Sequence, residues 1–331
     1  MSLAAQSAQL FLLAGVVFLA LGALSAAVLV RLFGARFSRW EPRVRHRALT
    51  LLAALPVASA VGLLFAASLP SLVALVVPGL DHCPLHDDGH AHLCFVHLPH
   101  VGIHTGLLVS LVFLASYALL RGGFVASSVI RALRVVATLA RTGEHRSDLG
   151  ITILETRQPL CFAAGLFRPR VLLSRGLFDT LSVEERAVIL AHERAHVRRR
   201  DALVASIARA LAAFHLPWVG RWLVHELEVA AEQACDEEAA HCTTDRVAVA
   251  AAILAVERAA QNVALRELGP VALAFGARAV ERRVEALLGD PPPPQSLRPL
   301  AVSLGVAVVS VLVLSSELHH LTESVLSVIA H

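Results

Sequence analysis

The stretch from Val188 to Asp201, VILAHERAHVRRRD, places two histidines four residues apart with a glutamate beside the first. On a helix, His192 and His196 lie one turn apart on one face, where two imidazoles can hold one metal ion. Glu193 lies beside the first of them, where a carboxylate can take a proton from an attacking water. The motif alone is weak, because a solvated helix of a histidine-rich chain can carry such a pair by chance.

A later helical segment, EVAAEQACDEEAA, offers acidic partners for the two histidines. A catalytic zinc ion takes three protein ligands and leaves one position open. Glu232 is the predicted third ligand, because Asp236 follows one turn later and can accept a hydrogen bond from the far nitrogen of a ligand histidine. Glu228, one turn earlier, is the alternative ligand. Asp201, five residues after His196, is predicted to support the site from outside by tying the motif helix to its neighbour. Each of these acids could instead be an ordinary surface charge of an amphipathic helix.

The composition predicts a membrane protein. Hydrophobic residues make up 56% of the 331 residues and charged residues only 17%, well below the fraction usual in soluble domains. Four uncharged segments are apolar enough to cross a bilayer as helices, whereas buried helices of a soluble core are usually shorter and amphipathic. The predicted spans are Leu10–Val30, Ala48–Leu80 (with prolines that suggest a kink), Val101–Leu120 and Pro299–Ser316.

The arginines predict the orientation of these spans. All 29 basic residues are arginines, which cluster in residues 31–47 and after the third span. The loop 81–100 and the tail after the fourth span contain none. Because positive loops stay in the cytoplasm, the N-terminus is predicted to lie outside and the middle of the chain inside. No basic residue precedes the first span, which is the wrong polarity for a cleavable signal peptide. We therefore predict a multi-pass protein of the bacterial inner membrane.

Residues 122–298 are long enough to form one cytoplasmic domain between spans three and four. Ser127–Arg141 has the period of an amphipathic helix that leaves the membrane along the headgroups. The short runs ITILET, PLCFAAGLF and RVLLS predict two or three strands. Ser182 and Glu185 form a capping box at the start of the motif helix, and a further helix begins near residue 217.

The predicted fold is thus a mainly α membrane protein with an α+β metalloprotease domain inserted between spans three and four. The three-span region covers residues 1–121, the protease domain residues 122–298, and the last span with a short extracytoplasmic tail residues 299–331. Asp290 and the four prolines that follow it predict a stiff linker to the fourth span.

Two long segments, CFAAGLFRPRVLLSRGLFDTLSVEERAVILAHERAHVRRRDAL and FHLPWVGRWLVHELEVAAEQACDEEAA, resemble the integral-membrane metallopeptidases of the BlaR/MecR type. That family combines a Gly-Leu-Phe-Arg-Pro segment, a His-Glu-x-x-His helix and a Glu-x-x-x-Asp ending in Ala-Cys-Asp, met here at residues 234–236. The resemblance implies a gluzincin-like domain with one catalytic Zn2+. It implies His192, His196 and Glu232 as zinc ligands and Glu193 as the catalytic glutamate.

One departure from the family limits what the resemblance implies. Its β-lactam-sensing members carry a penicillin-binding domain after the fourth span, where only residues 317–331 follow here. We therefore expect no antibiotic sensing by this polypeptide. The function that the resemblance still implies is cleavage of a cytoplasmic protein, for which a transcriptional repressor is the suggested substrate.

Two other functions stay open. HtpX-like membrane proteases share the metal motif and the later Glu-x-x-x-Asp, so a quality-control protease for membrane proteins is the first alternative. A non-catalytic, metal-responsive membrane receptor is the second, and the intact Glu193 speaks against it.

The donor that stabilises the oxyanion is also left open. Tyr117, the only tyrosine, lies inside a predicted span, so a histidine such as His225, an arginine or the backbone would have to serve. The strand region from Phe162 to Leu173 could receive the substrate as an added β-strand. Besides this protein substrate, the predicted partners are membrane lipid and no nucleic acid, while a homodimer stays open.

The loop from Asp81 to His104, DHCPLHDDGHAHLCFVHLPHVGIH, holds seven of the 17 histidines. Such density can bind a zinc, copper or nickel ion, or it can form a polar, pH-sensitive loop without specific affinity. Cys83 and Cys94 are predicted to face the oxidising side of the membrane, where they can pair.

Overall fold

The computed structural model describes residues 3–77, 79, 93, 95, 105–243, 245–267, 274–291, 293 and 295–330. Helices dominate this part of the chain, and one small sheet interrupts them. The helices are α1 Leu3–Phe37, α2 Pro42–Val76, α3 Thr105–Thr142, α4 Arg175–Thr180, α5 Val183–Arg199, α6 Asp201–Ala212, α7 Pro217–Thr243, α8 Arg246–Glu267, α9 Ala274–Leu288, α10 Arg298–Val313 and α11 Ser315–Ala330. The strands are β1 Glu144–Arg146, β2 Ile151–Leu154, β3 Cys161–Ala164 and β4 Arg170–Ser174.

Helices α1, α2 and α3 are long and apolar enough to cross a membrane. Helix α2 continues through Pro56 and Pro70 without a break. It crosses α1 closely at Gly22, where an added Cβ would lie 2.7 Å from the Cα of Pro56. Small residues at such a crossing let two membrane helices approach. Helices α1 and α3 contain the described residues of predicted spans one and three, and α2 ends at Val76, four residues before the predicted end of span two. Residues 78, 80 and 101–104 of the predicted spans lie outside the described residues.

The fourth predicted span is not one straight helix. Helix α10 ends at Val313, and the chain turns by 70° before α11 begins at Ser315. The two helices together count as a fourth span only if the bent pair is taken as one. The residues of the predicted tail belong to α11, which packs against α1 and α2. His319 of α11 is fully buried there, with its Nδ1 2.6 Å from the carbonyl oxygen of Ala67.

The sheet has the strand order β1-β2-β4-β3. Strands β2 and β4 run parallel, and the outer pairs β1–β2 and β3–β4 are antiparallel. Ile153 and Leu173 belong to the same buried cluster as residues of α5, whereas Leu154 and Leu172 pack on α3. The sheet thus lies between α3 and α5, with β3 at the edge. The sequence predicted the other three strands but not β1, whose residues Glu-His-Arg are polar.

Helix α5 starts as the sequence predicts and ends abruptly. Ser182 accepts a hydrogen bond from the backbone N–H of Glu185, whose side chain accepts one from the backbone N–H of Ser182. At the other end Arg200 adopts the left-handed conformation, with φ 54°, and α6 begins at Asp201. This conformation costs a non-glycine residue about 1–2 kcal/mol. It separates the two helices within one residue, and the side chain of Asp201 reaches His196 of α5.

The start of α2 is joined to α7 by one buried and one exposed polar contact. The Nη2 of Arg45, which is 2% exposed, donates to the Oε1 of Gln233 at 2.5 Å. Gln233 in turn donates to the carbonyl oxygen of Arg282 on α9 at 3.1 Å. Arg43 pairs with Glu238 of α7 at 3.2 Å. The part of α7 just after Glu232 therefore contacts α2 on one side and α9 on another.

Candidate metal centre

Two histidines of α5 and one glutamate of α7 converge at one point. The Nε2 atoms of His192 and His196 lie 3.1 Å apart. Each lies 3.5 Å from one carboxylate oxygen of Glu232. Zinc binds such atoms at about 2.0–2.2 Å, so three ligands of a tetrahedral site are separated by about 3.3 Å. The three residues present therefore fit a zinc ion in both ligand type and spacing.

Each histidine has a buried carboxylate behind it. The Nδ1 of His196 lies 2.8 Å from the Oδ2 of Asp201, with which it forms a hydrogen bond. The Nδ1 of His192 lies 2.9 Å from the Oδ1 of Asp236, a charge contact in which the ring N–H is not aligned for a hydrogen bond. A carboxylate at the far nitrogen orients the ring and leaves Nε2 for a metal. The predicted supporting acids thus lie beside the predicted ligands.

Arg283 of α9 completes the cluster, and the sequence did not single it out. Its Nε and Nη2 donate to the two carboxylate oxygens of Asp236 at 2.8 and 2.6 Å. Its Nη1 lies 3.1 Å from the Oε2 of Glu232. One guanidinium therefore contacts both acids of the Glu-x-x-x-Asp motif.

The charges of the cluster set its protonation. Burial lowers the pKa of His192, but contacts with Asp236 and Glu232 outweigh it and raise that pKa to about 9. Burial raises the pKa of Glu232, but His192 and Arg283 outweigh it and lower that pKa to about 2. Without a metal, a protonated imidazole therefore lies beside an ionised carboxylate, and a metal ion would replace that proton.

Cys235 occupies the space behind His196. Its Sγ lies 3.4 Å from both the Nδ1 of His196 and the Oδ2 of Asp201, close enough for the three to hold a metal. Burial and the charge of Asp201 raise the pKa of the thiol, which disfavours the thiolate that a metal needs. His196 Nδ1 is already bonded to Asp201, so we interpret this trio as support for the first site.

Glu193 lies between the histidines and the edge of the sheet. Its side chain is buried, and burial raises the pKa of its carboxyl group. The nearby backbone N–H of Ala163 on β3 acts in the opposite direction and lowers that pKa. Within the described sheet β3 pairs only with β4. Glu193 therefore lies near the edge strand of the sheet.

A cavity of about 830 Å3 opens beside these residues. Its polar wall contains His192, Glu193 and Arg283, and the edge strand β3 lines another side. A large part of the remaining wall is apolar, with α3 contributing Val125, Val129, Leu133 and Val136 and α6 contributing Val204 and Ala205. These α3 residues recur every three or four positions, so one face of that helix lines the cavity. The cavity therefore combines a polar wall at the histidines with an apolar wall on α3 and α6.

Other predicted site residues lie apart from the cluster. Glu228 pairs with Arg209 at 2.7 Å on the cavity wall and does not join the histidines. His225 lies outside the cavity, 3.3 Å from the Nη1 of Arg282. The predicted metal-binding loop 81–104 and its cysteines Cys83 and Cys94 lie outside the described residues, apart from Leu93 and Phe95.

Comparison with known proteins finds one peptidase family and two protease homologs that are similar to this chain. Residues 98–287 match the model of a family described as BlaR1 peptidase M56. A Protease HtpX homolog of Salinibacter ruber is 30% identical over 149 residues, covering 36% of this chain and 54% of the relative. A Protease HtpX homolog of Aquifex aeolicus is 41% identical over 81 residues, covering 24% of this chain and 26% of the relative. The chain thus spans about half of the first relative and about a quarter of the second. No solved structure matches significantly.

Proposed function

The chain belongs to the BlaR1 peptidase M56 family, and from that premise we propose that it is a membrane-embedded, zinc-dependent endopeptidase that cleaves a cytoplasmic protein. The observation that carries this proposal is the convergence of His192, His196 and Glu232 beside the buried carboxylate of Glu193. Two histidines and a glutamate with an adjacent base are the donor set of a hydrolytic zinc site. A receptor without catalysis would not need the base.

The residues of the site divide the proposed chemistry among them. A zinc ion held by the two histidines and Glu232 would supply Lewis acidity and lower the pKa of water. A carboxylate oxygen of Glu193 accepts the proton of the attacking water and then donates it to the leaving amine. The raised pKa of Glu193 suits both steps, because a pKa closer to neutral pH lets the carboxyl group accept and donate a proton.

The edge strand β3 is the proposed binding site for the substrate backbone. A peptide in extended form would add to its free edge as a further strand, which gives affinity through main-chain hydrogen bonds. Ala163 of that strand lies near Glu193, so we expect an added strand to bring a peptide carbonyl close to the proposed catalytic carboxylate. The apolar face of α3 would receive the substrate side chains that point away from the sheet.

We propose that the peptidase site lies on the cytoplasmic side, because one arginine cluster lies between the spans of α1 and α2 and another follows the span in α3. A transcriptional repressor is the proposed substrate. Similarity to Protease HtpX homologs favours a second candidate, a quality-control protease that acts on membrane proteins. The two candidates differ in the substrate and share the site.

Replacement of the base tests the proposal. The full-length chain in membranes is compared with Glu193→Gln and with Glu184→Gln, a control on the exposed first turn of the same helix. We expect Glu193→Gln to abolish cleavage, to keep bound zinc and to retain uncleaved substrate, while the control cleaves normally. The retained protein, identified by mass spectrometry, distinguishes a repressor from a membrane protein.

Two results would overturn the proposal. Continued proteolysis by Glu193→Gln would show that this carboxylate is not the base. Absence of zinc from the unmodified chain, measured after purification in zinc-containing buffer, would remove the metal site on which the mechanism depends.

A further inference from the structure

We propose that Arg283 is a positioning residue of the metal centre, which fixes Glu232 and Asp236 in the arrangement that binds the ion. This inference rests on the proposed zinc site and goes beyond it by assigning a role to α9. Arg283 belongs to neither the histidine motif nor the Glu-x-x-x-Asp motif and lies 47 residues after Asp236. It contacts both acids of the second motif across the fold.

The contacts of Arg283 use the shape of its guanidinium group. Arginine presents five N–H donors in a planar fork that matches both oxygens of a carboxylate. Here the fork holds Asp236 at 2.6 and 2.8 Å, and the remaining nitrogen lies 3.1 Å from one oxygen of Glu232. The plane of Asp236 is thereby fixed behind His192, and Glu232 keeps its other oxygen 3.5 Å from the Nε2 of His196.

Burial makes this contact strong. The side chain of Arg283 is 17% exposed and that of Asp236 is 2% exposed. Three carboxylates lie near Arg283, those of Asp236, Glu232 and Glu193, and each attracts its positive charge. Its positive charge offsets part of their mutual repulsion. Loss of one partner from such a buried network leaves an uncompensated charge, which is far more costly than loss of a surface ion pair.

The backbone of α9 is held rigidly enough for this role. Gln233, the neighbour of Glu232, donates to the carbonyl oxygen of Arg282 at 3.1 Å. Arg246 donates to the last carbonyl oxygens of α9, those of Ala286 at 2.6 Å and Leu287 at 2.9 Å. These contacts flank Arg283 on both sides, so the guanidinium is presented from a fixed backbone.

The neighbouring arginine provides a matched control. Arg282 lies next to Arg283 on α9, but its side chain contacts Glu226 at 3.3 Å and not the metal cluster. We would purify the full-length chain and the variants Arg283→Gln, Arg283→Lys and Arg282→Gln in detergent. Zinc affinity is measured by competition with a chelator, and the ligand field by the visible absorption of the cobalt-substituted protein. Circular dichroism checks the fold of each variant.

We expect Arg283→Gln to bind zinc about 10–100-fold more weakly than the unmodified chain, as is usual when an outer partner of a metal ligand is lost. Arg283→Lys keeps the charge without the fork, so it should recover part of the affinity with an altered cobalt spectrum. Arg282→Gln should match the unmodified chain in both measurements.

The outcomes separate this inference from the proposed function. Unchanged zinc affinity and an unchanged cobalt spectrum in Arg283→Gln would overturn the inference and leave the proposed function standing. If Arg283→Gln does not fold, Arg283→Lys decides by the same two measurements. An unmodified chain that binds no zinc would overturn the proposed function, and this inference with it.

Discussion

The hydrogen bond behind His196 offers a graded test of the metal centre. The Oδ2 of Asp201 accepts from the Nδ1 of His196 at 2.8 Å and also lies 3.1 Å from the Nε of Arg199. The change Asp201→Asn keeps an oxygen acceptor at this place but removes the negative charge. The change Asp201→Ala removes the acceptor and leaves the ring without its partner.

The two changes should weaken zinc binding to different extents, because they remove different parts of this contact. A hydrogen bond to a charged group contributes about 1.5–3 kcal/mol and one between neutral groups about 0.5–1.5 kcal/mol. The difference of about 1 kcal/mol predicts that Asp201→Asn weakens zinc binding by about fivefold. Asp201→Ala frees the ring of His196 to turn, so we expect a loss of about 10–100-fold.

Chelator competition on the purified full-length variants measures both values, and circular dichroism confirms that each variant folds. The expected order of zinc affinity is unmodified chain, Asp201→Asn, Asp201→Ala. Zinc affinity equal to that of the unmodified chain in Asp201→Ala would refute the reasoning. An asparagine variant as weak as the alanine variant would show that charge, and not orientation of the ring, dominates.

Two further predictions concern the cavity and the cysteines. Val129 is part of the apolar wall of the cavity. Val129→Asp should therefore lower kcat/KM for peptide cleavage by about 10–100-fold, because it removes apolar burial worth about 1.5–3 kcal/mol. The zinc content of this variant should stay normal. Val135→Asp, at a position 59% exposed on the same helix, should cleave normally, and equal loss in both variants would contradict the assignment of the wall. Because burial raises the pKa of the Cys235 thiol, an alkylating reagent at about pH 8 should modify exposed Cys242 and spare Cys235 until the protein is unfolded. Mass spectrometry locates the label, and rapid modification of folded Cys235 would argue against the packed arrangement behind His196.

The features that sequence could predict are those encoded within one element. The capping box of Ser182 requires only a serine and a glutamate three residues later. The spacing of His192 and His196 follows from the helical period, as does the choice of Glu232 by its distance from Asp236. The structure brings these residues together, while their chemical roles stay predictions.

The features that sequence could not predict depend on contacts between elements. Arg283 reaches Asp236 from another helix, and no local pattern connects an arginine of α9 with an acid of α7. The break between α5 and α6 puts the non-glycine residue Arg200 in the left-handed region, where glycine is the usual residue. The 70° bend after Val313 falls in an apolar run without proline or glycine at the break, so it looked like one continuous span.

The contact between Arg45 and Gln233 links the proposed metal centre to a helix that is apolar enough to cross a membrane. Gln233 directly follows Glu232 in the sequence, and its partner Arg45 belongs to α2. The rest of α2 is apolar enough to cross a membrane. A change in bilayer thickness that tilts α2 would therefore reach α7, beside the proposed ligand Glu232, through Arg45 and through the ion pair of Arg43 with Glu238. A soluble fragment cut free of its membrane helices would keep the histidine motif but lose one of the supports that hold its third ligand in place.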